Sequence, residues 1–199
     1  MTRAAPLPAD ERRRTIIDAT RPLLVAHGAG FTTRQVAEAA GIAEGTIFRV
    51  FDSKQDLLDA VIDDVLDPMP MVHAIRQFPP DPDLESRVIR ILTLLHTNIA
   101  GVAALFAALH AMPSPDIVPH RHGPKGPMPA RLTALQSAVE DALAPWSAHL
   151  RTEVRTAAAF IRSVAMATYH PMFSDHITIE PEGVATLLVH GLEKEESCC

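Results

Sequence analysis

Cysteine is all but absent: the 199-residue chain holds two, Cys198 and Cys199, side by side at its end. Neighbouring Cα atoms lie ~3.8 Å apart across a trans peptide, short of the ~4.4–6.8 Å that a disulfide spans. No disulfide framework is available, and the pair reads as a loose tail. Aromatic residues make up only 5%, glycine occupies 9 positions, and the 17 prolines follow no period, which excludes a collagen-like fibre. Positive charge is short as well. At net −6 with a pI near 5.9 the chain is no general polyanion binder. Met1 to Asp10 carries Arg3 but no apolar stretch, which predicts no secretory signal and a reducing, cytoplasmic setting. What the chain does have is apolar: 47% of its residues, enough to exclude a disordered polymer. Its length allows one large domain or two small ones.

From Ile91 to Pro115 no residue carries a formal charge, a run long enough in principle for a bilayer. His96, Thr97, Asn98 and His110 interrupt it, Gly101 divides it, and no basic cluster flanks one side. The expectation is a pair of buried helices and no membrane partner.

Charge is divided unevenly. Residues 1–56 hold 8 Lys and Arg against 7 Asp and Glu, whereas the remainder holds 10 against 17. Any nucleic-acid contact must come from a local basic face in the first quarter.

Apolar spacing predicts helices throughout. The first runs from Asp10 to His27, with Ile16, Ile17, Leu23 and Leu24 on one face, a kink at Pro22 and a stop at Gly28. Thr32 and Gln35 form a capping box that opens a helix at Thr33, ended by Gly41. After a three-residue turn, a short helix runs from Glu44 to about Phe51. A second capping box, Ser53 to Asp56, opens a helix carrying Leu57 to Leu66, which Pro68 and Pro70 stop. Beyond the proline-rich joint at Pro79, Pro80 and Pro82, Leu84 to Val102 and then Val102 to Met112 read as two helices, the latter buried. Residues 113–129 read as a long Pro-rich loop, followed by a helix ending near Pro145, one over Thr152 to Tyr169, and a last one from Pro181. There is no strand-period segment and no internal repeat. The chain is expected to be all-α, with an N-terminal three-helix head over 1–52 and a larger helical domain over 53–197.

A helix, a turn opening with glycine and a second short helix make a helix-turn-helix. On its own that is a weak signal. Here it stands in a specific frame: Thr32, Val36-Ala37, Ala40-Gly41-Ile42, Gly45-Thr46-Ile47-Phe48, Phe51, Ser53-Lys54 and Leu57. This frame resembles the DNA-binding head of the tetracycline-repressor (TetR) family of bacterial transcriptional regulators, over about the first 66 residues. The resemblance implies a homodimer that grips double-stranded operator DNA, acts as a repressor, and is released by a small-molecule effector. It places Arg34, Glu44, Gly45, Thr46, Phe48 and Arg49 at DNA-facing positions.

Physical chemistry assigns the roles. Thr33 at a helix N-terminus offers donors to a phosphate, and Lys54 at the next helix start supplies a second clamp. Gly45 allows close approach to the groove, and Arg34 and Arg49 suit bidentate contacts to guanine. Three residues depart from the family's habit: Phe48 where Tyr is usual, Val50 where His is frequent, and Glu44 where a basic or amide residue is common. Phe48 and Val50 either meet DNA or extend the small core. Glu44 repels phosphate but accepts from cytosine N4. Arg12, Arg13 and Arg14 read as a phosphate-touching arm or as an ordinary solvated turn. A small-molecule carrier with a degenerate helix-turn-helix is the alternative that these departures would favour.

Further along, no enzyme signature or cofactor motif occurs; His120 and His122 are either a metal-binding pair or, lacking a third nearby ligand, solvated loop residues, the preferred reading, with no metal expected. His96 lies on an apolar face, and Arg162, Met166, Tyr169 and His170 form a polar-aromatic stripe. They are either core polar groups or anchors in an apolar ligand pocket, for which Phe106, His110 and Trp146 would supply lining. Small residues Ala157, Ala158, Ala159, Ser163, Ala165 and Ala167, with Leu187, Leu188 and Leu192, suit the helix pairing of a dimer.

Overall fold

A computed structural model describes residues 8–111, 128–170 and 179–192, and no β-strand occurs among them. In chain order the helices are α1 (Ala9–His27), α2 (Thr33–Ala40), α3 (Glu44–Ile47), α4 (Lys54–Val65), α5 (Met69–Arg76), α6 (Leu84–Ala111), α7 (Met128–Leu143), α8 (Val154–Tyr169) and α9 (Pro181–Leu192). Short 3-10 turns cover Gly28–Gly30 and Ala144–His149. The all-α expectation holds. By contact, the described residues group into two compact units: 8–66 with 104–111, and 67–103 with 128–170 and 179–192.

The first unit is built on a core of Ile16, Leu24, Phe31, Val36, Ile47, Phe51, Leu57, Leu58, Val61 and Leu105. Phe31, Phe51 and Leu57 are at most 1% exposed, and burial at this level stabilises by roughly 1.5–3 kcal/mol per side chain. Leu57, Leu58 and Val61 belong to α4. The helix that the sequence reading assigned to the second domain therefore packs into the core of the first unit. An ion-pair network joins α1 to α4: Arg14 Nη1 donates to Asp64 Oδ1 at 2.9 Å, and Arg21 Nη2 donates to Asp64 Oδ2. Partial burial pulls the Arg21 guanidinium below its ordinary pKa, opposed by neighbouring Asp18.

The second unit packs Val72, Ile75, Val88, Ile91, Leu92, Leu95, Val139, Leu143, Ala158, Ile161, Ala165 and Val184 into one core. At its edge Arg87, only 6% exposed, pairs with Asp81 through Nε at 2.8 Å and donates to the Pro79 carbonyl at 2.9 Å. Its guanidinium also faces the Phe78 ring at 5.5 Å and the Trp146 ring at 5.3 Å. This cluster ties the proline-rich 79–82 stretch to α6.

Several expectations need correction. The predicted pair of helices over 84–112 is the single 28-residue α6. Gly101 does not divide it: a lone glycine costs a helix only ~1 kcal/mol, less than burying Leu95, Ile99 and Leu105 returns. Nor is its second half buried. Phe106 is 38% exposed, and Ala104 and Ala107 are exposed, leaving Leu105 as the buried residue of that stretch. By length and composition α6 could cross a membrane, yet Leu84, Val88, Ile91, Leu92 and Leu95 belong to the core of the second unit.

The smaller corrections concern prolines and caps. α1 runs through Pro22 to His27 as expected, with Thr20 and Leu24 buried on either side. Pro70 does not stop a helix but stands in the first turn of α5, where a missing N–H costs nothing; the sequence reading had no helix there. α3 is one turn long, and the chain from Phe48 to Val50 continues as turns. At Ser53 only half of the predicted box forms: its hydroxyl accepts from the Asp56 amide at 3.0 Å, while the Asp56 carboxylate accepts from the Asp52 amide at 3.2 Å. The expected loop over 113–129 lies outside the described residues up to 127, and Met128 and Pro129 open α7. His120, His122, Cys198 and Cys199 also lie outside the described residues.

Candidate nucleic-acid interface

The geometry of α2 and α3 follows from their caps. The Thr32 hydroxyl accepts from the Gln35 amide at 3.2 Å, and the Gln35 side chain accepts from the Thr32 amide at 2.8 Å, a complete capping box. At the other end Gly41 takes φ +66°, the left-handed region, and the Gly41 and Ile42 amides donate to the Glu38 and Ala37 carbonyls. This paired closure turns the chain sharply into α3. Ile47 and Phe51, each 1% exposed, then anchor α3 and the following turn to the core.

With Ile47 and Phe51 held inward, Glu44, Gly45, Phe48 and Arg49 form an exposed stripe with half-buried Thr46 beside them. Phe48 is 51% exposed, so it does not extend the core, whereas Val50 does pack against it. An added Cβ at Gly45 would meet nothing within 4 Å. The fold does not require glycine there, and the open space faces outward. Arg34 lies exposed on α2, in a 3.3 Å pair with Glu38. Thr33 Oγ1 donates to Glu44 Oε1 at 2.5 Å.

Lys54 is oriented inward as well as capped. Its Nζ donates to the Ala29 carbonyl at 2.7 Å and lies 4.8 Å from the Phe31 ring centroid. Arg13 stacks its guanidinium over Phe51 at 4.4 Å, and Arg14 is engaged by Asp18 and Asp64. These partners give Arg13 and Arg14 structural work within the head. Asp64, which sequence reasoning missed, is the acid that holds Arg14 and Arg21; its only signal was a carboxylate on the polar side of α4.

The other candidate residues fall in separate places. In the second unit His96 and Tyr169 are brought together as a stacked pair, centroids 4.3 Å apart and planes 21° from parallel. The Tyr169 hydroxyl is buried with no hydrogen-bond partner among the described residues. Burial, reinforced by the Glu180 and Glu182 carboxylates, pushes its pKa up to about 12. Half-buried Arg162 donates to Gln136 Oε1 at 2.6 Å, and burial lowers its pKa. His170 follows α8 and donates its amide to the Met166 carbonyl. Met166 is 47% exposed, and Trp146 lies against Arg87 instead. Phe106 and His110 are exposed positions on the part of α6 that groups with the first unit. No cluster of three or more metal-ligating side chains occurs among the described residues.

A capped helix pair with an exposed, partly basic stripe on its second member places this chain among the helix-turn-helix proteins. Comparison with known proteins narrows the class. Residues 16–61 match the family described as bacterial regulatory proteins, tetR family. The chain is 44% identical over 50 residues to an uncharacterized HTH-type transcriptional regulator, YvkB, of Bacillus subtilis (strain 168), covering 25% of this chain and 26% of that protein. It is 36% identical over 69 residues to the HTH-type transcriptional repressor KstR2 of Rhodococcus jostii (strain RHA1), covering 31% and 34%. The matches thus span about a quarter to a third of those relatives. The fold of the whole chain is similar to that of a TetR transcription regulator from Haloarcula marismortui: TM-score 0.60 at 17% identity, over 93% of this chain and 100% of that one. The match to the tetR family thus lies in the first unit, from within α1 to within α4.

Proposed function

We propose that the protein is a dimeric, cytoplasmic transcriptional repressor that binds operator DNA through α2 and α3 and releases it when a small molecule binds its second unit. One observation carries the DNA-binding reading. Buried Ile47 and Phe51 leave Glu44, Gly45, Phe48 and Arg49 together on the outside, with unfilled space at Gly45. The repressor sense draws on the relative KstR2 of Rhodococcus jostii, an HTH-type transcriptional repressor.

The dimer rests on α8 and α9. Of the small residues on α8, Ala157, Ala158 and Ala165 are spent in the core of the second unit, while Ala159, Ser163 and Ala167 are exposed. Phe160 at 51% and Met166 at 47% share that outer side, and Leu187 on α9 is 72% exposed. An apolar face of this kind suits a second copy, bringing two heads onto successive major grooves ~34–36 Å apart.

The effector site rests on Tyr169, His96, Arg162 and His170 of the second unit. A buried, protonated phenol with no partner among the described residues calls for an acceptor oxygen, and the Glu180 and Glu182 carboxylates disfavour an anion beside it. A largely apolar, neutral effector bearing a carbonyl or ether oxygen fits. Binding to random-sequence and upstream-region duplexes across a salt series tests the main reading. Steep salt dependence with preference for one sequence supports it, and absence of binding to either duplex overturns it.

A further inference from the structure

Glu44 opens α3, and its carboxylate reaches back across the turn to the first residue of α2. The contact from Thr33 Oγ1 to Glu44 Oε1, 2.5 Å between exposed groups, has the length of a charge-assisted O–H···O⁻ bond. Packing does not demand an acid at this position, since Glu44 is exposed and the anchoring of α3 belongs to Ile47. The Thr33 hydroxyl is a donor that a DNA phosphate would use. The carboxylate therefore holds, from within the chain, a hydrogen bond that DNA would otherwise take. Nearby Arg34 is likewise engaged by an acid, Glu38, at 3.3 Å.

We propose, resting on the DNA-binding reading above, that Glu44 is a specificity-determining residue that works by partner exchange. A phosphate gains Thr33 only when the carboxylate lets go. The released carboxylate is then satisfied only where a base presents an amino hydrogen in the major groove, the cytosine N4–H being the fitting donor. At any other base pair it stands unpaired beside phosphates and penalises the complex. Glu44 thus discriminates chiefly by weakening binding to wrong sites, one of the two ways a difference in affinity is made. The operator carries a cytosine at the position Glu44 faces.

The test uses the full chain, a random-sequence duplex and a randomised duplex pool. Glu44→Gln keeps the shape and removes the charge. It should bind the random duplex roughly tenfold more tightly at fixed salt, with a salt slope steeper by about one unit. Sequences selected from the pool by the parent should share a cytosine that the variant no longer requires. In a Thr33→Val background the gain from Glu44→Gln should be smaller by at least about twofold, because the share that came from freeing the Thr33 hydroxyl is gone while the charge repulsion remains. A gain that survives whole in that background overturns the exchange. Identical selected sequences and unchanged affinity overturn the role of Glu44 altogether. Failure of the parent to bind any duplex overturns the DNA-binding reading itself, a result distinct from parent binding with an indifferent variant.

Discussion

Lys54 at the start of α4 donates from Nζ to the carbonyl of Ala29 at 2.7 Å, under cover of the Phe31 ring. A cation at a helix N-terminus opposes the helix dipole, and the carbonyl and the ring face compensate for it. Lys54→Ala should therefore act twice. Chemical denaturation should show a loss of about 1–3 kcal/mol, the scale of a charged hydrogen bond. Binding to all duplexes should weaken alike, with the salt slope lower by about one, because a phosphate contact carries no base information. A stability loss with an unchanged slope would make Lys54 structural alone.

Gly45 separates folding from binding. Its Cβ position is open, and alanine is the better helix former by ~1 kcal/mol. Gly45→Ala should melt at the same temperature as the parent or slightly above it. Its affinity for the operator should fall roughly tenfold, equivalent to ~1.4 kcal/mol, if that space accommodates DNA. Full affinity in the variant would show that the groove does not come close there.

Arg34 and Arg49 are exposed and expendable to the fold. Replacing one by alanine should cost ~1–3 kcal/mol at the operator and little on random duplex where it pairs with guanine. Equal losses on both duplexes would make it a phosphate contact.

Asp81 has a side chain 1% exposed and serves both Arg87 and Arg90. Asp81→Asn leaves the Arg87 charge buried without its counterion, a change that typically costs ~3–5 kcal/mol. Urea unfolding should show that loss, whereas Arg90→Ala, with one partner more exposed, should cost well under half as much.

Tyr169 is the single tyrosine of the chain, so tyrosinate absorbance reports it alone. Its pKa is pushed up to about 12 by burial and two nearby carboxylates, against about 10 when unfolded. The folded state holds this proton more tightly. Its contribution to stability is present below about pH 10 and is lost as pH rises toward 12. The phenol should titrate near pH 12 in the native chain and near 10 in denaturant, and Tyr169→Phe should remove that alkaline loss. A native midpoint near 10 would mean that the hydroxyl is solvated.

Local chemistry made the head legible. Thr32 with Gln35, Gly41 after an apolar-faced helix, and Ser53 before Asp56 are signals carried by residues within four positions of one another. Backbone hydrogen bonding near helix ends depends on little else. Helix content was legible for the same reason, since apolar spacing along one segment needs no partner to be read. Element boundaries were less so. Pro70 and Gly101 read as breaks because propensity is a weak prior, and burial of Val72, Ile75, Ile99 and Leu105 outweighed it.

The sequence by itself determined an all-α chain, a capped helix-turn-helix with Gly41 in the turn, and the resemblance of that segment to the tetR family. Tertiary structure alone decided which side chains are spent inside and which remain outside. Lys54 turned to Ala29, Arg14 and Arg21 were claimed by Asp64, and Trp146 came to Arg87, while Phe48 stayed in solvent. The reason is physical: a charged or aromatic side chain takes the partner that folding brings within reach. Those partners lie 25, 50, 43 and 59 positions away along the chain, where no local pattern records them.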